Sequence, residues 1–323
     1  MTKLRISVVQ YLNTAPLIRG FTHGPSRARA EERYDLSFTV PSQCAETLRT
    51  GAADVAIIPA IEYQRIVSEG IPLTILPGLA IASKERVRSL LLISKVPIRQ
   101  ARRVALDPSS RSTQALVKIL AAQRWQIAPE FFEPAKPVKN GADVGRLVAA
   151  MLAEADAALI IGDAALRIAI AAETHVTRGP DVEWLATGAT AGIPAIPQLH
   201  IYDVVKEWWH LTEKPAVLAV WAARNDSFPG NIVPADLAAD FQASRDFGLT
   251  QIPQIAAEAA TEMHLPEKEL RLYLGKNIDY SLDQENLQGL QRFFQESQAL
   301  NLIGPLNAIN IAAAPHAIAQ KRA

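Results

Sequence analysis

The chain has 323 residues, too many for one ordinary hydrophobic core and suited to two domains. Lysine plus arginine numbers 33 and aspartate plus glutamate 33, so the formal net charge is zero, which argues against a nucleic-acid binder. Apolar residues make up 49%, no apolar run reaches the length of a membrane span, and the single cysteine, Cys44, excludes an intramolecular disulfide and zinc sites built on cysteine pairs.

Arg5 to Val9 reads as a short strand rich in β-branched residues. Its apolar part, Ile6 to Val9, is far too short for a signal peptide after Lys3 and Arg5, so a soluble, cytoplasmic protein is expected. Asn13 and Thr14 end the strand, and Pro16 suits the first turn of a helix. On the plainest reading Asn13 caps that helix. Leu36 to Val40 reads as a strand, Pro41 to Arg49 as a helix stopped by Gly51, and Asp54 to Ile58 as a buried strand ending at Pro59. A helix through Ile61, Glu62, Tyr63 and Ile66 stops near Gly70, and Leu73 to Ala82 is a further strand. This alternation implies a mostly parallel sheet.

A second such unit follows. Strands are expected at Ser89–Ser94, Arg103–Asp107, Phe131–Phe132 and Ala157–Ile161, and helices after Thr113, over Val144–Ala153 and over Ala164–Ala172. Gly179 to Pro197 is rich in glycine and proline and reads as a loop, Tyr202 to Leu211 as a helix, and Ala216 to Ala222 as a strand. Helical spacing dominates the rest, near Pro234–Phe247, Pro253–Met263, Glu267–Leu274 and Asp283–Leu300, before an Ala- and Asn-rich tail expected to fray after Pro305. Two similar α/β units, each with polar residues after its strands, suggest two lobes closing over a ligand, as periplasmic binding proteins do. The crossings are expected near Leu91 and Val217, giving one lobe from residues 1–91 plus 217–323 and another from 92–216.

Several stretches carry chemistry. Ser109-Ser110-Arg111-Ser112-Thr113 lies between a strand and a helix, where hydroxyls, a guanidinium and free helical N–H groups suit a carboxylate; a capped helix with a surface arginine is the plainer reading. Gly162-Asp163 also follows a strand, with an N-cap as the plainer reading, and Ser89 opens a strand. Glu62 and Tyr63 face either a cleft or solvent. None of the six histidines has metal-ligand spacing on a helix, and no phosphate-binding glycine loop or serine nucleophile elbow is present, so neither metal nor organic cofactor is expected. Trp208, Trp209 and Trp221 read as packing anchors.

Taken together, several segments resemble one family. Tyr11-Leu12-Asn13-Thr14-x-Pro16-Leu17 is similar to the opening motif of the chorismate dehydratases of the futalosine route to menaquinone. Pro41-Ser42 with Leu48, Gly51 and Asp54 to Pro59 resembles a second block of that family. Ser89 with Leu90-Leu91-Leu92, then Ser109-Ser110-Arg111, Leu159 to Asp163, and Tyr202-Asp203 with Trp208, Thr212, Pro215 and Ala219-Val220-Trp221 resemble the remaining blocks. The resemblance runs from Arg5 to the helices near Phe294. The departures are Thr212-Glu213-Lys214-Pro215, where Thr-Gly-Leu-Pro is frequent, the order Ser112-Thr113, and a tail past Leu306 with no counterpart.

The resemblance implies an α/β fold of the type 2 periplasmic-binding-protein arrangement, used as a cytoplasmic enzyme without cofactor. The implied activity is loss of water from chorismate to give 3-[(1-carboxyvinyl)oxy]benzoate. Asn13 is the expected catalytic residue, orienting the substrate's enolpyruvyl carboxylate or a water as proton acceptor, because an amide is not itself a base. Tyr11, Ser42, Pro59, Glu62, Ser89, Ser110, Arg111, Ser112, Thr113, Gly162 and Asp163 are the expected substrate-binding residues, with Arg111 and its neighbours on a carboxylate. Chorismate is the expected small-molecule partner, neither nucleic acid nor a membrane is expected, and the sequence does not fix the oligomeric state. The alternatives are a non-catalytic binding protein for a small carboxylate, and the sister enzyme of the same route acting on cyclic dehypoxanthine futalosine.

Overall fold

Strand and helix alternate from the start, because proline and polar residues stop each apolar run. The computed structural model describes residues 3–134, 143–174, 177–179, 182–191 and 196–312. Strand β1 (Leu4–Val9) ends in a tight helical turn at Leu12–Thr14, and α1 (Ala15–Thr22) carries Pro16 in its first turn, where a missing N–H costs nothing. After α2 (Arg27–Arg33) come β2 (Tyr34–Thr39), α3 (Pro41–Arg49), β3 (Val55–Pro59), α4 (Ala60–Ser68) and β4 (Leu73–Ser83). Gly51 takes the left-handed φ of +73° that turns the chain out of α3.

The next part holds β5 (Leu90–Ser94), β6 (Arg103–Ala105), α5 (Arg111–Leu120), β7 (Glu130–Phe132), α6 (Val144–Ala153), β8 (Ala157–Ile161) and α7 (Gly162–Thr174). It continues with β9 (Thr177–Gly179), β10 (Val182–Ala186), β11 (Leu199–Asp203) and α8 (Val204–Thr212). The chain closes with β12 (Ala216–Arg224), α9 (Ala235–Thr250), α10 (Ile252–Met263), α11 (Glu267–Leu272) and α12 (Gln284–Ala299).

Among the described residues these strands make two sheets, ordered β2-β1-β3-β12-β4 and β7-β6-β8-β5-β11-β10-β9. In the first, β1 lies parallel to β2 and β3, while β12 inserts antiparallel between β3 and β4. The second departs from the expected repeat of the first. Among the described residues only the β7–β6 and β6–β8 pairs are parallel; β8 with β5, β5 with β11, β11 with β10 and β10 with β9 pair antiparallel. For β9 and β10 the reason lies in the connection: the strands end and start at Gly179 and Val182, too close for a helical crossover, so they pair antiparallel.

Two local expectations are also corrected. The stretch expected to be a loop from Gly179 to Pro197 contains β10, whose Trp184 is buried. Tyr202 belongs to β11 rather than to the following helix, which begins at Val204 because Asp203 caps it, its Oδ1 accepting from Val205 N at 3.0 Å and Lys206 N at 3.2 Å. The other oxygen of Asp203 accepts from Arg88 N at 2.6 Å and Val87 N at 3.1 Å. One fully buried carboxylate thus joins the segment leading from the first sheet to the second to the segment leading back. Trp208 and Trp221 are fully buried; Trp208 donates to Pro215 O, and Trp221 meets Phe241 edge-on at 4.8 Å.

The tail expected to fray is instead held over its described part. Gln64 exchanges hydrogen bonds with the Asn307 backbone, and the Tyr63 hydroxyl donates to Ala308 O and accepts from Asn310 N. Ile75 N then donates to Asn310 O, and Ala312 N to Ile75 O, so residues 307–312 cover the outer edge of β4. Tyr63 is fully buried. Tyr63→Phe removes both hydroxyl bonds and is expected to cost about 1–3 kcal/mol of stability, read as an earlier midpoint in urea unfolding.

Candidate active site

Strand ends and helix starts face one another across the gap between the two sheets and enclose a cavity of about 50 Å³. Val9, Tyr11 and Asn13 reach it beyond β1, Pro41 at the start of α3, and Pro59 at the end of β3. Ser110 and Thr113 come from the start of α5, and Ile161 and Gly162 from the change of β8 into α7. Ser89 and Leu90 come from the first crossing, with Ile81, Leu218 and Ala219 on β4 and β12. The starts of five helices, α1, α3, α4, α5 and α7, therefore meet at one place. Each helix start carries N–H groups without a partner inside the helix and roughly half a positive elementary charge. No charged side chain is among the lining residues, so positive potential in the cavity comes from peptide groups.

The residues expected from the sequence divide into two sets. Tyr11, Asn13, Pro59, Ser89, Ser110, Thr113 and Gly162 line the cavity. Ser42, Glu62, Arg111, Ser112 and Asp163 do not; they form the seam where elements of the two sheets touch around it. Ser42 N donates to Ser109 O at 3.0 Å, and Ile61 N to Ser112 Oγ at 3.2 Å. Leu12 N donates to Asp163 Oδ1 at 3.3 Å, and Tyr11 Oη lies 3.4 Å from Ser109 Oγ.

Arg111 turns to Glu62, its Nη1 at 2.8 Å from Oε2. Glu62 is fully buried and also receives Arg49 Nη2 at 2.8 Å and Arg65 Nη1 at 2.9 Å. Burial alone would push its carboxyl up. The field of Arg111 and the hydrogen bonds of Arg49 and Arg65 outweigh burial and hold it below the usual carboxylate range.

Inside the cavity the polar groups are few and fixed. Ser110 Oγ and Thr113 Oγ1 are 2.7 Å apart. Asn13 Oδ1 accepts from Thr14 Oγ1 at 3.3 Å. The Ser89 hydroxyl accepts from Tyr273 Oη at 2.9 Å, in the turn that follows α11. Tyr273 was not legible as a site residue, because an aromatic side chain at apolar helical spacing reads as core. Neither was Arg88, a buried residue at φ +65° whose Nη2 meets Glu173 at 2.5 Å and Glu269 at 2.8 Å. Among the described residues, no three His, Cys, Asp or Glu side chains form a group able to hold a metal ion, and no helix is long and apolar enough to cross a membrane.

Asp163 is the one group beside the cavity with a pronounced carboxyl perturbation. Burial pushes it up to about 6, against the Leu12 N–H and the Arg167 charge, with Glu262 adding to the rise. Its folded value lies above the unfolded one near 3.9, so the folded state holds more protons between them and loses stability as pH rises through that window. Asp163→Asn is therefore expected to raise stability relative to the parent by about 2 kcal/mol more at pH 7.5 than at pH 4, as read by urea unfolding at the two pH values.

The chain is 25% identical over 297 residues to the chorismate dehydratase of Thermus thermophilus, covering 92% of this chain and 95% of that protein. Among solved structures, protein AF1704 from Archaeoglobus fulgidus is similar at a TM-score of 0.64 and 16% identity, covering 93% of this chain and 98% of that one. The periplasmic aliphatic sulphonate binding protein SsuA from Escherichia coli is similar at 0.58 and 16%, covering 95% and 90%. The fold is thus the two-lobed periplasmic-binding-protein arrangement of type 2. Residues 4–299 match the family described by menaquinone biosynthesis, and the chain belongs to that family.

Proposed function

We propose that the protein is a chorismate dehydratase, a hydro-lyase that removes water from chorismate to give 3-[(1-carboxyvinyl)oxy]benzoate. The observation that carries the reading is the cavity: an apolar box with a few fixed polar groups, where five helix starts converge and no charged side chain intrudes. That is a setting for a compact cyclic dianion, because helix N-termini hold carboxylates without supplying an acidic proton. The similarity to the Thermus enzyme points the same way.

The reaction breaks the C–H bond at the ring carbon bearing the enolpyruvyl ether. Its electron pair spreads through the conjugated ring into the ring carboxylate, and hydroxide then leaves the neighbouring carbon as the ring becomes aromatic. The enolpyruvyl carboxylate of the substrate accepts the proton and hands it to the departing hydroxide, so one water is released. Asn13 orients that carboxylate, and Ser110, Thr113 and the start of α5 stabilise the ring carboxylate as charge arrives there. Arg111 enters this reading as the counterion of Glu62. A cavity of about 50 Å³ has room for a few waters, not for a substituted cyclohexadiene. Admission of substrate therefore requires the lobes of residues 1–91 plus 217–323 and 92–216 to part about the crossings that Asp203 joins.

Incubation with chorismate is expected to give a product lighter by one water, seen by mass spectrometry. Tight binding of unchanged chorismate would instead support a binding protein, and no interaction at all would remove chorismate as the ligand. Asn13→Ala is expected to lower kcat and kcat/KM together by about 100-fold, the scale of a lost oxyanion-hole donor. Asn13→Asp should also be impaired, through repulsion of the dianion; wild-type kinetics for both variants would remove Asn13 from the reaction, and it does not cap α1, whose N-cap is Thr14.

A further inference from the structure

Ser89 immediately precedes β5 at the cavity wall and is 1% exposed. Among the described residues Tyr273 is the one hydrogen-bond partner of its hydroxyl, and Tyr273 is the donor. A hydroxyl has a single proton and two acceptor positions. Because Tyr273 fills an acceptor position of Ser89, the Ser89 proton is left without a protein acceptor, on a side chain that lines the cavity. Tyr273 lies outside the cavity lining, behind Ser89.

We propose that Tyr273 is a positioning residue for Ser89, setting the Ser89 O–H as a donor aimed into the cavity at an anionic group of the ligand. The chain of donors runs from the Tyr273 hydroxyl to the Ser89 hydroxyl and ends in the cavity. Such chains polarise one another, so each bond strengthens the next. Burial holds the Tyr273 phenol far above its usual range, so it remains a donor at every working pH. The segment carrying Ser89 is itself immobilised: Gly162 N donates to Ser89 O at 2.8 Å, and the preceding Arg88 N is held by Asp203. The C-terminal helical region, through the turn Tyr273–Asn277, thereby takes part in a cavity built otherwise from strand ends.

The role of Ser89 as a donor to substrate rests on the dehydratase reading, so two measurements are paired. The first is a double-mutant cycle of Tyr273→Phe and Ser89→Ala with chorismate as substrate. Tyr273→Phe is expected to lower kcat by about 10- to 100-fold, less than direct loss of a transition-state donor. Added to Ser89→Ala it should cost no more than about twofold, because its effect passes through Ser89. Additive losses, or wild-type kinetics with only earlier unfolding, overturn the proposal. The second needs no substrate. In Ser89→Cys the introduced thiol is titrated by thiolate absorbance, against Cys44, which burial pushes up to about 11. Adding Tyr273→Phe should raise the apparent pKa of the introduced thiol by about one, since a donor to the thiolate is lost. An unchanged value overturns the proposal even where chorismate is turned over. If the parent protein does not convert chorismate, the dehydratase reading fails while the titration still decides whether Tyr273 donates at this position.

Discussion

The ion cluster at Glu62 sets the conditions for everything around the cleft. A carboxylate taken fully out of water loses several kcal/mol of solvation, and it persists in charged form only with close positive partners. Here three guanidinium groups supply them, one from α3, one from α4 and one from α5. The first two helices pack on the first sheet, and α5 follows a strand of the second. The same cluster therefore neutralises a buried charge and holds the two halves side by side. It also consumes the charge of Arg111, which leaves the neighbouring cavity electrically dependent on aligned peptide dipoles. A field made from backbone is hard to alter by substitution and is set by the fold itself.

This arrangement explains which parts of the site were legible in the sequence. Residues at strand-to-helix changes announce themselves through proline, glycine and hydroxyl side chains, because those positions need a fixed φ, a left-handed turn or a cap. Asn13, Pro59, Ser110 and Gly162 all carry such a signature, and all reach the cavity. The partner of a charged side chain has no such local mark. Nothing adjacent to Arg111 in sequence indicates that Glu62, far back in the chain, takes its guanidinium. Tyr273 is hidden for a related reason: its helical spacing is the spacing of core, and its contact with Ser89 spans most of the chain.

The fold shows the same division. Elements bounded by strong stop signals, such as α3 between Pro41 and Gly51, have the expected limits. Strand order depends on pairings between remote segments, and local pattern is silent about it. β10 escaped notice because glycine and proline flank it on both sides, and the tail because most of its hydrogen bonds run to side chains of α4, with a single backbone bridge to β4 at Ile75. A backbone that looks unstructured by composition becomes ordered when buried side chains such as Tyr63 and Gln64 offer it partners.

The position of β12 has a consequence for how the molecule is made. β3 and β4 are neighbours in sequence, yet both pair with β12, which joins Ile58 to Val220 and Ala80 to the same strand. On a ribosome the first sheet has nothing to close on until β12 emerges, whereas the strands of the second sheet, β5 to β11, are all synthesised before it. Domains assemble as their segments become available, and long-range strand pairing is slow. The nascent chain thus holds its first four strands with an open seam between β3 and β4 while the second sheet forms. A single strand made after those of the second sheet then completes the older half, so the floor of the cleft closes late in synthesis rather than with the first strands.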